Sequence, residues 1–140
     1  MNAHILVAED SRDVRQMVSA FLQTAGYRVS EAANIPEAMD VIRADPPDLI
    51  VLDLTLLDDP FGGLSDGFSL LYLLKQNCSN ATFRVVIYTG DDSPTVAARA
   101  KAAGISEVVY KGSPPHELMA AIRRTLGELV EEPPRFGTTG

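Results

Sequence analysis

Short apolar runs alternate along this chain with stretches in which apolar positions return every three or four residues. That pattern predicts strand and helix units wound around a parallel sheet. The first run is Ile5-Leu6-Val7-Ala8. Beyond Asp10-Ser11, either of which can cap a helix through a side-chain oxygen, Val14, Met17, Val18, Phe21, Leu22 and Ala25 form a stripe at helical spacing, and Gly26 ends it. Tyr27-Arg28-Val29-Ser30 reads as a second strand near a sheet edge, and Asn34 caps a short helix burying Ala38, Val41 and Ile42 before Pro46-Pro47. Leu49-Ile50-Val51-Leu52 is apolar throughout, as expected of a central strand covered on both faces, and it stops at Asp53.

From Leu54 to Asp66 the chain carries Pro60, Gly62, Gly63 and several Asp residues, a loop composition, before a Leu-rich helix that starts near Gly67. Val85-Val86-Ile87-Tyr88 is the fourth predicted strand and ends at Thr89-Gly90. An Ala-rich helix follows from about Ser93 to Ala103, and its Val96, Ala97, Ala100 and Ala103 offer little bulk to a core. The fifth strand, Glu107 to Tyr110, ends at Lys111. Ser113 as cap and Pro114 at the first helical position then start a last helix with the stripe Leu118, Ala121, Ile122, Thr125, Leu126 and Leu129. Periodicity is lost after Glu131. The expected organisation is one domain over residues 1–130 and a flexible tail or linker start over 131–140.

Composition narrows the function classes. A chain of 140 residues with 46% hydrophobic and 22% charged residues can bury one substantial core. A net charge of −7, with Lys and Arg scattered along the chain, argues against direct contact with nucleic acid. Cys78 is the single cysteine and has no partner for an internal disulfide. No apolar run reaches the ~18–20 residues of a membrane span, and Met1-Asn2-Ala3-His4 lacks the features of a secretory signal. A cytoplasmic location with no membrane contact is the expectation.

In a parallel sheet the residues just past the strand ends gather along one rim, and a ligand crevice opens at the topological switch point. Here that rim carries Glu9, Asp10, Asp53, Thr89 and Lys111. Alone, Asp10 reads best as a helix cap, Lys111 as a surface charge, and Thr89 equally well as a turn residue. Together on one edge they point to chemistry. Clustered carboxylates repel unless a hard cation or an ammonium neutralises them, and oxygen-only ligands favour Mg2+, which uses one or two carboxylates plus substrate oxygens. Asp10 and Asp53 fit as ligands. Asp53 fits as a nucleophile that takes a phosphoryl group, Lys111 as the charge that stabilises the transferring oxygens, and Thr89 as a hydroxyl that senses the new phosphoryl group. His4 and His116 lack the paired spacing of a metal site.

Ala8-Glu9-Asp10-Ser11, the run from Leu49 to Leu54 around Asp53, Ile87-Tyr88-Thr89-Gly90 and Val109-Tyr110-Lys111 resemble, in order and spacing, the receiver domains of two-component response regulators. The resemblance runs from about Ile5 to Leu129. It implies a flavodoxin-like α/β fold: a doubly wound (βα)5 three-layer sandwich whose five-stranded parallel sheet has the order 2-1-3-4-5. It implies Mg2+ bound by Asp10, Asp53 and the backbone carbonyl of Thr55, with Glu9 assisting through water, and Asp53 as phosphoacceptor in a phosphorelay. The implied donor is a sensor histidine kinase or histidine phosphotransfer protein. Output would pass to a downstream protein or to an output domain outside this chain, with a homodimer as one form. Such a domain is not a turnover enzyme and catalyses only its own phosphorylation and dephosphorylation. Thr55 and Asp91 are implied to tune the lifetime of the phosphorylated state.

Three features depart from that family pattern. Gly112 follows Lys111 where a Pro is usual, Val108 holds the position of the usual aromatic residue while Tyr110 lies next to Lys111, and the loop from Leu57 to Gly67, with Asp58, Asp59 and Asp66, is extended. These features motivate a second reading, a pseudo-receiver that binds partners without phosphorylation. A hydrolase of the haloacid dehalogenase type would want a carboxylate where Thr55 stands. A flavodoxin-like nucleotide binder would meet repulsion from Glu9-Asp10.

Overall fold

In the computed structural model, which describes residues 2–54, 70, 72, 74, 84–105 and 107–127, five strands run parallel in one sheet. They are β1 (His4–Ala8), β2 (Arg28–Ala32), β3 (Leu49–Leu52), β4 (Arg84–Thr89) and β5 (Glu107–Tyr110), ordered β2-β1-β3-β4-β5. The helices with described bounds are α1 (Arg12–Thr24), α2 (Ile35–Ala44), α3 (Pro94–Ala102) and α4 (Pro115–Leu126), and residues 70, 72 and 74 are also helical. This is the expected doubly wound sandwich.

Alternation along the strands divides the core between the two faces of the sheet. Ile5, Val7, Leu49, Val51, Val86, Tyr88 and Val109 meet Val18 and Leu22 of α1 and Leu118, Ala121 and Ile122 of α4. On the opposite face Leu6, Ala8, Ile50, Leu52, Val85 and Ile87 meet Ile35, Ala38, Met39 and Ile42 of α2, Leu70, Leu74, and Ala100 of α3. The apolar runs are unbroken because both faces are covered. Ile50 has no exposed surface, so Ile50→Ala is expected to lower stability by about 2–5 kcal/mol, read as a lower urea midpoint at unchanged slope.

Helix starts follow capping chemistry. Ser11, not Asp10, caps α1, its hydroxyl accepting from the Val14 amide. Asn34 caps α2 by accepting from the Glu37 amide at 2.9 Å, and the Glu37 carboxylate reaches back to the Ala33 amide at 2.8 Å.

Four details correct the sequence reading. Met17 and Phe21 are 57% and 37% exposed. Val14, Val18 and Leu22 point to the sheet, whereas positions 17 and 21 lie to one side of that line. There, with Tyr88, Pro115 and Leu118, they border an apolar hollow between α1 and α4. Strand β2 is displaced two residues at its end, because the Tyr27 amide bonds to Leu22 O after the left-handed Gly26, and pairing with β1 runs from Arg28 to Ala32. In α2, Val41 is only partly buried, and Ile35 and Met39 join Ala38 and Ile42 in the core. At α4 the cap is Pro114 and Pro115 follows it within the helix. A residue before proline is pushed to extended backbone, so Pro114, at φ −58° and ψ 146°, cannot itself be helical.

The expectations for Thr55, the extended loop from Leu57 to Gly67, the Leu-rich helix start, Cys78, Leu129 and the 131–140 tail lie outside the described residues. Among the described residues, no helix is long and apolar enough to cross a membrane.

Candidate functional site

The sheet reverses its winding direction between β1 and β3, and the strand register decides what meets there. Ala8 pairs with Leu52, and the Asp53 amide donates to Ala8 O at 2.9 Å. Glu9 and Asp53 therefore leave the sheet side by side. The Glu9 amide bonds to Ala32 O at 3.0 Å, which ties the same corner to β2. Carboxylate oxygens of Glu9, Asp10 and Asp53 lie within 4.8 Å of one another, the first two of this set by burial being Asp53 (1% exposed) and Glu9 (3%), while Asp10 stands at the open mouth.

Lys111 closes the site from β5. Its Nζ stands 2.6 Å from Glu9 Oε1 and 3.4 Å from Asp53 Oδ1. The Lys111 amide donates to Thr89 O at 2.7 Å, which fixes the end of β5 against the end of β4. Thr89 is buried, and its Oγ1 accepts from the Asp91 amide at 3.0 Å. Asp91 in turn accepts from the Ser93 amide, which holds its carboxyl below the ordinary range.

Burial is the main force on the acids. It pushes the Glu9 carboxyl from 4.5 up to about 8; a hydrogen bond with Asp53 and that residue's charge push the same way, and Lys111 opposes them. In the protein without a cation, Glu9 is therefore a much weaker acid than an ordinary glutamate. For Lys111, burial works against the charged form, but hydrogen bonding to Glu9 and the charge of Asp53 outweigh it and hold the ammonium above its ordinary range. The arrangement is one ammonium set among buried carboxyl oxygens, a donor set that could hold a hard cation.

The structure thus brings together Glu9, Asp10, Asp53 and Lys111, and sets Thr89 at the neighbouring strand end. Arg15 was not singled out by sequence. Its Nη1 donates to Glu9 O at 2.8 Å and its Nε pairs with Glu31 at 3.3 Å, so it anchors the backbone that carries the acids. Nothing in the local pattern of α1 signals that role, because both partners lie on other elements.

Comparison with known proteins agrees with this fold. The family model for the response regulator receiver domain matches residues 5–123. The chain belongs to the response regulator receiver domain family. It is 32% identical over 126 residues to the transcriptional regulatory protein YvrH of Bacillus subtilis, covering 89% of this chain and 49% of that protein. It is 30% identical over 126 residues to the phosphate regulon regulator PhoB of Klebsiella pneumoniae, covering 90% and 52%. The receiver chain thus spans about half the length of the curated relatives it matches. Among solved structures, the Vibrio cholerae chemotaxis protein CheY4 superposes with a TM-score of 0.77 at 27% identity, covering 89% of this chain and 99% of that one. The BeF3-activated receiver domain of Klebsiella pneumoniae RstA gives 0.74 at 26% identity, covering 88% and 97%. Phosphorylation on Asp and use of Mg2+ are general features of this receiver family.

Proposed function

We propose that this receiver domain accepts a phosphoryl group on Asp53 from a histidine kinase or histidine phosphotransfer protein and changes partner binding as a result. The observation that carries the reading is the convergence of a buried Asp53 with Glu9, Asp10 and the Lys111 ammonium at the switch point of the sheet. An oxygen-only donor set with two buried carboxylates and one at the mouth suits Mg2+. Asp10, Asp53 and the backbone carbonyl of Thr55 would hold it, with Glu9 assisting through water. When bound, Mg2+ supplies positive charge to the transferring phosphoryl oxygens.

The chain's own groups do the rest. An Asp53 carboxylate oxygen forms the new bond to phosphorus as the bond from phosphorus to the donor's leaving atom breaks. Lys111 stays protonated and neutralises an equatorial oxygen. The Thr89 hydroxyl, now occupied by the Asp91 amide, turns to the added charge of about −1.5 to −2 and draws the loop before α3 with it. The domain performs no multiple-turnover chemistry on a separate substrate. It acts in the cytoplasm, and output goes through a downstream protein, an output domain or a homodimer. Val108 and Gly112 favour one alternative, a pseudo-receiver that works without phosphorylation.

Incubation with Mg2+ and acetyl phosphate separates the two readings. One phosphoryl mass is expected on the wild-type chain and none on Asp53→Ala. Absence of an adduct, under conditions that load a control receiver, would favour the pseudo-receiver.

A further inference from the structure

The glycine at 112 is not explained by its backbone. Gly26, Gly104 and Gly127 have positive φ, the region that favours glycine, and Gly112 does not. Space, not backbone, sets it apart. A β-carbon on residue 112 would overlap the ring of Tyr110, which lies directly against the glycine. The residue between the two in the chain is Lys111.

This segment is a tight turn. The Ser113 amide donates to Tyr110 O at 2.9 Å, and the Lys111 amide donates to Thr89 O at 2.7 Å. Tyr110 also pairs with Thr89 in the sheet register, so the ring sits at the end of an edge strand beside the site. Its placement there is not a matter of core filling, since Tyr110 remains 42% exposed. A lysine ammonium rides on a flexible stem, and its aim depends on how firmly the backbone beneath it is held.

We propose that Tyr110 and Gly112 act as one clamp: the ring seated on the glycine fixes the turn and thereby aims the Lys111 ammonium at Glu9 and Asp53. Tyr110 is a positioning residue; it touches neither the phosphoryl group nor the metal ligands in this account. The clamp couples two departures from the family pattern, an aromatic residue before the lysine and a glycine after it, through a single contact. Its catalytic consequence rests on the phosphoacceptor reading above.

A double-substitution cycle in the full chain tests it, with Gly112→Ala, Tyr110→Ala, the double variant and Tyr110→Phe. Two readouts are taken: the maximal rate of phosphoryl incorporation from acetyl phosphate, and hydrogen exchange at the Ser113 and Lys111 amides in the unphosphorylated protein without Mg2+. Gly112→Ala is expected to slow incorporation by about tenfold to a hundredfold and to speed exchange at both amides, with exchange at Val86 and Ile87 unchanged as evidence of folding. Tyr110→Ala is expected to show a similar loss. Adding Gly112→Ala to Tyr110→Ala should then cost nothing further, because the ring that the methyl would strike is gone. Tyr110→Phe should match wild type, as it keeps the ring.

Wild-type rate and wild-type amide protection in Gly112→Ala would overturn the clamp, as would losses that multiply in the double variant. If wild type takes no phosphoryl group at all, the phosphoacceptor reading fails, and the amide exchange cycle alone decides the clamp.

Discussion

Lys111→Met is expected to slow phosphoryl incorporation at Asp53 by about a hundredfold to a thousandfold, the usual loss when one preorganised group that stabilises developing charge is removed. The Lys111 side chain is three-quarters shielded from solvent, and its ammonium lies 2.6 Å from Glu9 and 3.4 Å from Asp53. There it acts at short range in a medium less screening than water. Methionine preserves the length and apolar contacts of the stem, so the change isolates the charge. Lys111→Arg should not restore the rate, because a planar fork cannot occupy the place of a compact ammonium between two carboxylates. Time courses of intact mass after mixing with acetyl phosphate and Mg2+ measure this directly. A rate within about threefold of wild type would remove Lys111 from the chemistry.

The second large effect concerns Glu9 in protein stripped of divalent cations. Its carboxyl is held at about 8 in the fold, chiefly by burial, against 4.5 for an ordinary glutamate. The folded state therefore binds this proton more tightly than the unfolded chain does. Its contribution to stability is fully present below about pH 4.5 and is lost progressively as pH rises through 8. Glu9→Gln keeps the shape and a donor to Asp53 but cannot ionise. Wild type should lose stability relative to Glu9→Gln between pH 5 and 9 by on the order of a few kcal/mol. Urea unfolding in a chelator across that range measures the difference. Lys111 titrates above its ordinary range and so does not mask it. Parallel curves for the two proteins would show that Glu9 is not held protonated. A cation that displaces this proton should bind more tightly as pH rises toward 8.

Much of the fold was legible because the strands are short, unbroken apolar runs, and only burial on both faces stabilises such runs. The site was legible for a related reason. Asp53 ends the most apolar strand, and a charge at that point has no structural cause of its own. Spacing alone does not separate the faces of α1, since a helical stripe reads the same whether it meets the sheet or a neighbouring helix; hence Met17 and Phe21 share the stripe of Val18 and Leu22 yet lie at the hollow between α1 and α4. The role of Arg15 depends on the carbonyl of Glu9 and the carboxylate of Glu31, and the cap of α4 depends on two successive prolines. Gly112 was visible only as a missing proline. Its reason, the ring of Tyr110, is a contact that no periodicity reports.

Whether Asp53 takes a phosphoryl group beside a metal ion is decided by a crystal structure grown with Mg2+ and beryllium fluoride, the phosphoryl analogue present in the activated RstA relative. The expected result is a trifluoroberyllate group on Asp53, a metal ion touching Asp10 and Asp53, and the Lys111 ammonium against a fluorine atom. An analogue bound elsewhere, or Asp53 left bare at saturating ligand while Lys111 still pairs with Glu9, would contradict it.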